Sequence, residues 1–139
     1  MLCCYEVPYE RGLLGHSDAD APVHALIDAI LGALALGDIG QHFPDTDPAY
    51  KGISGRALLK AVLSLPELQG WQIGNLDITI IAQAPKLMPH IMAMRQALAD
   101  AAGLPIEDVS IKAKTAEKLG PVGAGEAIEA HAAVFMYHA

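Results

Sequence analysis

Cysteine is scarce: the only two, Cys3 and Cys4, are neighbours in the chain. Adjacent cysteines rarely form a useful bridge, so a disulfide scaffold is excluded and a reducing cytoplasm fits best. The pair alone also makes a poor metal centre, because structural zinc takes four ligands. Aromatic residues are few, at 5%, and basic residues are outnumbered, 9 Lys and Arg against 16 Asp and Glu. With a net charge of -7 no basic stripe exists to displace counterions. That argues against nucleic acid as a partner. Long apolar runs are missing. The longest is roughly Ala29–Leu36. A membrane span needs about 20 residues, far more than this. Met1-Leu2-Cys3-Cys4 runs at once into Tyr5-Glu6. The basic start and apolar stretch of a secretory leader are not there. No Gly-x-x-x-x-Gly-Lys-Ser/Thr, Gly-x-Gly-x-x-Gly or serine elbow occurs.

What is present is apolar bulk, 53% of 139 residues. That is enough for one domain over residues 1–139. Residues 2–8 read as a strand ending at Pro8. A helix starts near Ala21, with Asp20 as N-cap and Pro22 in the first turn. Val23, Leu26, Ile27, Ile30, Leu31 and Leu34 then fall at helical spacing, and Gly37 closes the helix. A second helix spans about Ser54–Leu65. Asn75–Ala82 alternates as a strand. A third helix covers about His90–Ala102, and Val109–Lys114 and Ile128–Tyr137 complete the strands. The order β-α-α-β-α-β-β predicts an α+β two-layer sandwich, a ferredoxin-like variant. Its helices lie on one face of a small, mostly antiparallel sheet. Few aromatics and much Gly and Ala leave a thin core, which oligomerisation would supplement.

Four stretches carry candidate chemistry. In GHSDADAPVHAL, Asp20, His24 and Asp28 share a helix face, with His16 and Asp18 just ahead of the helix. His24 is a candidate metal ligand and the helix N-terminus a candidate anion site. Plain caps and a hydrogen-bonded histidine explain the same spacing. In DIGQHFPDTDP, Asp38, Asp45 and Asp47 suit sugar hydroxyls or a cation, or merely Asx-turns around Pro44 and Pro48. Phe43 in this polar loop predicts packing against a ligand or a neighbouring subunit. In IAQAPKLMPH, small residues at a strand end let a base or sugar approach the backbone, and Lys86 could pair with phosphate or remain solvated. In KAKTAEKLGPVGAG, Lys112, Lys114, Thr115, Glu117 and Lys118 offer donors to phosphate and an oxygen ligand for a divalent ion. An edge strand with protective charges is the alternative.

Together HSDADAPVHAL, LGDIGQHFPDTDP, DITIIAQAPKLMPHI and KTAEKLG, in this order and spacing, closely resemble the 2-C-methyl-D-erythritol 2,4-cyclodiphosphate synthase family over almost the whole chain. The resemblance implies a lyase of the non-mevalonate isoprenoid route, a homotrimer with active sites between subunits. Its implied reaction is attack of a 2-phosphate on the β-phosphorus of a cytidine diphosphate substrate, releasing CMP. It implies Zn²⁺ on His24, with Mg²⁺ or Mn²⁺ on Glu117. His16 and Thr115 would stabilise phosphate charge, with Ser17 beside His16. Asp38, Ile39, Gly40, Phe43, Pro44, Asp45, Thr46 and Asp47 would wall the erythritol unit. Ala82, Gln83, Ala84, Pro85, Lys86, Leu87 and Met88 would form the cytidine pocket. Lys114 and Ala116, which stand where threonines are frequent, would flank the phosphates through their backbone.

Three departures from the family pattern are visible. The family's zinc also uses an Asp-x-His pair near the N-terminus, but residues 1–15 contain neither residue and no Asp-x-His occurs anywhere. By this resemblance the chain begins about two strands into the family's domain, as from an internal Met1. Ala124 replaces a usual arginine and Pro121 a common phenylalanine, which bears on isoprenoid diphosphate binding in the trimer's cavity. The competing reading is a catalytically impaired trimer that binds cytidine nucleotides without a complete zinc site. A general metal phosphohydrolase fits less well, lacking a paired-metal carboxylate cluster.

Overall fold

The computed structural model describes residues 1–8, 20–44, 46–50, 52–124 and 127–139. His16, Ser17, Asp18 and Asp45 lie outside the described residues.

Helix α1 (Ala21–Ala33) starts where Asp20 caps it, its Oδ1 accepting from the Val23 N–H at 3.3 Å, with Pro22 in the first turn. Val23, Leu26, Ile27, Ile30 and Leu31 form its fully buried stripe. Each such side chain contributes roughly 1.5–3 kcal/mol by leaving water. The helix stops before Gly37. Ala35 adopts a left-handed φ of 56°. The Leu36 N–H returns to the Leu31 carbonyl at 2.8 Å. Together these close a Schellman-type end.

Residues 2–8 do not form the expected strand. Leu2 and Tyr5 make an isolated bridge around Cys3 and Cys4, which have φ of 53° and 64°. Asp20, fully buried, accepts from the Cys3 N–H (2.8 Å) and the Cys4 N–H (2.7 Å), so the chain turns back here rather than running on.

Beyond α1 come the single-turn helix α2 (Ile39–His42) and helix α3 (Gly55–Leu63). Strand β1 (Trp71–Ile81) is the longest and central one. Helix α4 (Ile91–Ala102) leads back to strand β2 (Val109–Lys114); the one-turn helix α5 (Gly120–Gly123) and strand β3 (Glu129–His138) complete the order. The sheet order is β2-β1-β3. β1 and β3 are antiparallel, but β1 and β2 run parallel, so the sheet is mixed. The α4 crossover enforces this, because it carries the chain back to the end from which β1 began. Arg95 of α4 pins the crossover, its Nε donating to the Val109 carbonyl (2.7 Å) and its Nη2 to that of Ile106 (3.0 Å).

The two-layer architecture matches the sequence expectation. Ile73, Leu76, Ile78 and Ile80 of β1, with Val109 and Ile111 of β2, are buried on the inner face. α1 packs on β3 and β1, α4 on β2, and α3 bridges α1 and α4. The opposite sheet face is open. Phe135 is 61% exposed and Tyr137 42%. β1 bulges at Gly74, where a Cβ would come within 2.6 Å of the Phe135 ring. A bulge of this kind suits a residue without a side chain.

Candidate active site at the ends of the parallel strands

β1 and β2 end side by side, at Ile81 and Lys114, because they run parallel in register. The Ala82 N–H extends the ladder to the Lys114 carbonyl at 2.9 Å. Beyond this point the strands diverge. Crevices outside the carboxyl ends of parallel strands are the usual ligand sites of such sheets. Here the crevice is a pocket of about 300 Å³, lined by Ala82, Gln83, Pro85, Lys86, Leu87, Met88, Ala113, Lys114 and Thr115.

Its shape follows from the residues. Ala82 and Ala113 at the base have only a methyl group to fill the space. The Ala84–Pro85 bond is cis, and Leu87 is buried beneath the rim while Met88 is exposed. On the other side, Thr115 Oγ1 accepts from the Glu117 N–H at 3.3 Å. Glu117 and Lys118 both take left-handed backbone, φ 53° and 63°, which folds the chain sharply back. The two walls are tied together, since the Lys118 N–H donates to Gln83 Oε1 at 3.0 Å. Gly123 completes the turn; a Cβ there would overlap the Lys118 backbone.

The pocket thus gathers Ala82, Gln83, Pro85, Lys86, Leu87, Met88, Lys114 and Thr115 of the sequence-predicted residues, while Ala84, Ala116 and Glu117 belong to the adjoining turns without lining it. Ala113 is the lining residue that sequence reasoning missed. Its inward place in the alternation of β2, next to Lys114, was the available signal. The pocket's described lining contains no carboxylate. Lys112, by contrast, lies on the open sheet face, paired with Asp77 at 2.9 Å. Lys112 and Ser110 donate to Asp77 and hold its carboxyl below the usual range.

Of the second predicted group, none of the described residues between 38 and 47 lines this pocket within one chain. Asp38 caps α2, with Oδ1 accepting from the Gln41 N–H at 3.0 Å and Gln41 Oε1 accepting in return from the Asp38 N–H at 3.1 Å. Asp28 Oδ1 accepts from the Ile39 N–H at 2.8 Å, so it secures α2 instead of joining His24. Asp47 Oδ1 accepts from the Ala49 N–H at 2.9 Å. Phe43 is accounted for inside the chain: its ring meets Tyr50 edge-on at 5.1 Å. Gly40, Pro44 and Thr46 are exposed, and Ile39 is half-buried.

His24 sits exposed on α1. Among the described residues no group of three His, Cys, Asp or Glu could hold a metal ion. Asp20 is engaged by three backbone N–H groups. Tetrahedral zinc needs three protein ligands even in an open catalytic site. The described residues therefore do not fit zinc. Glu117 is different. Mg²⁺ is commonly held by one or two carboxylates plus substrate phosphates. This exposed carboxylate beside the pocket meets that requirement.

The sequence matches the YgbB family over residues 1–137. It is 56% identical over 131 residues, 94% of this chain and 83% of the relative, to the 2-C-methyl-D-erythritol 2,4-cyclodiphosphate synthase of Trichlorobacter lovleyi. A solved 2C-methyl-D-erythritol-2,4-cyclodiphosphate synthase in its CDP-bound form superposes with a TM-score of 0.88 at 36% identity, covering 99% of this chain and 89% of that one. The bifunctional IspDF of Campylobacter jejuni matches with a TM-score of 0.89 at 36% identity, over all of this chain but only 38% of its own length. On these matches the chain belongs to the YgbB family, the family of the 2-C-methyl-D-erythritol 2,4-cyclodiphosphate synthases.

Proposed function

We propose that this chain converts 4-diphosphocytidyl-2-C-methyl-D-erythritol 2-phosphate into 2-C-methyl-D-erythritol 2,4-cyclodiphosphate and CMP. The observation that carries the proposal is the strand-end pocket, built from segment 82–88 and Thr115, in a fold shared with a CDP-bound synthase. A 2-phosphate oxygen attacks the β-phosphorus. The bond from that phosphorus to the oxygen bridging it to the α-phosphate breaks, and CMP leaves with that oxygen. No covalent enzyme intermediate is needed, so positioning and charge neutralisation supply the rate.

In this reading the small residues Ala82 and Ala113 admit the base and ribose, with Leu87 and Pro85 as apolar walls. Lys86 meets the phosphates as a mobile point charge. The Thr115 hydroxyl donates to a phosphate oxygen as charge shifts toward the leaving group. His16, with Ser17 next to it in the sequence, takes the same role by the family resemblance. Glu117 would hold Mg²⁺ or Mn²⁺, which when bound supplies charge neutralisation of the diphosphate. No step is routed through zinc.

The erythritol unit is assigned to Asp38, Ile39, Gly40 and Phe43 to Asp47. Since none of the described residues of this segment lines the pocket in one chain, we infer that a second copy supplies it, in a homotrimer with sites between subunits. The open sheet face, with Phe135 and Tyr137 exposed, supports association of copies. Among the described residues no helix is long and apolar enough to cross a membrane. The cytoplasm is the proposed compartment, consistent with a chain whose only two cysteines are adjacent.

The test is release of CMP from the substrate with Mg²⁺ present. Stoichiometric CMP and cyclic diphosphate support the proposal, and CMP accompanied by 2-C-methyl-D-erythritol 2,4-bisphosphate, the product of hydrolysis, contradicts it.

A further inference from the structure

Among the described residues, Lys86 and Lys114 line the strand-end pocket, although the chain as a whole carries a net charge of -7. They reach it from opposite walls, Lys86 from the segment after β1 and Lys114 from the last position of β2. Neither forms an ion pair with a described residue, whereas the neighbouring Lys112 is neutralised by Asp77. Alternation with Lys112 roots Lys114 toward the open face, and it lines the pocket from the rim where the strand ends. Both side chains are exposed at the pocket's rim, so an anion entering the pocket meets two cations at once.

We propose that Lys114 is a second phosphate-binding cation which, together with Lys86, sets this pocket's preference for a diphosphate over a monophosphate or an uncharged nucleoside. The proposal rests on the cytidine-nucleotide reading of the pocket and adds a specificity determinant to it. A neutral hydroxyl residue at position 114 would offer a hydrogen bond but no charge. Lysine adds a flexible ammonium whose attraction grows with ligand charge. Its contribution must therefore rise in the order cytidine, CMP, CDP, and shrink as salt screens it.

The experiment is calorimetric titration of the full chain with cytidine, CMP and CDP at low and high ionic strength, for the wild type, Lys114→Thr, Lys114→Met and Lys114→Arg. Both neutral variants are expected to lose roughly 3- to 10-fold in CDP affinity at low salt, as for loss of one charge-assisted contact to phosphate. CMP should lose less and cytidine nothing, and the salt dependence of CDP binding should flatten. Lys114→Arg should hold close to wild-type affinity. Equal losses for cytidine and CDP would show a packing role and overturn the proposal. So would CDP affinity unchanged in Lys114→Met, with the pocket reading left standing. A wild-type chain that binds none of the three ligands would overturn both.

Discussion

Asp20 shows how much one residue can carry. A single buried carboxylate accepts from Val23 at the start of α1 and from Cys3 and Cys4 in the tight N-terminal turn. Its capping role was legible from the Asp-Ala-Pro order. Its grip on a turn 16 and 17 residues earlier was not, because nothing local marks a contact of that range. Replacing it leaves three N–H groups without this acceptor. Asp20→Ala is therefore expected to cost about 2–4 kcal/mol, the sum of a lost cap and hydrogen bonds to a charged group. Urea unfolding measures this, and a loss below about 1 kcal/mol would contradict the assignment. Phe43 teaches the converse lesson. Its apolar ring in a polar loop suggested an outside partner, yet Tyr50, a short way along the same chain, already packs against it.

At the scale of elements, long periodic segments were readable and short or directional features were not. α1, α4 and the three strands follow from spacing of buried side chains. α2 and α5 span four residues each, too few for a period, and appeared in sequence only as Gly- and Pro-rich loop. Strand direction is not encoded in alternation, so the parallel β1–β2 pair, on which the pocket depends, emerged only with the α4 crossover. That pair also carries a pH signature. Asp77 is held below the ordinary carboxylate range by its bond from Lys112 and then by Ser110. A carboxyl depressed in the fold contributes stability above its unfolded value, near about pH 4, and loses it as pH falls through the lower folded value. Both side chains are more than a third exposed. Solvent screening therefore keeps the effect under about 1 kcal/mol. Asp77→Asn should accordingly show a shallower acid limb in thermal unfolding between about pH 5 and about pH 2. Parallel limbs for the two proteins would contradict the pairing.

Across the whole molecule, the proposed site is a divided one. The proposed nucleotide half sits at the ends of β1 and β2, whereas none of the described residues between 38 and 47 lines that pocket in the same chain. Both halves were visible in the sequence as motifs, since each is a run of contiguous residues. Which halves one chain joins was not, because in the proposed assembly that depends on how a second copy packs against this one. His24 also resembled part of a metal site that the described residues do not complete. The most direct measurement is a crystal structure of the protein with CDP. Cytosine is expected against Ala82 and Leu87, with the diphosphate at Lys86, Lys114 and Thr115. Residues 38–47 of a second copy are expected to face the diphosphate. CDP bound elsewhere, or a pocket closed off with no second copy near it, would contradict the divided site.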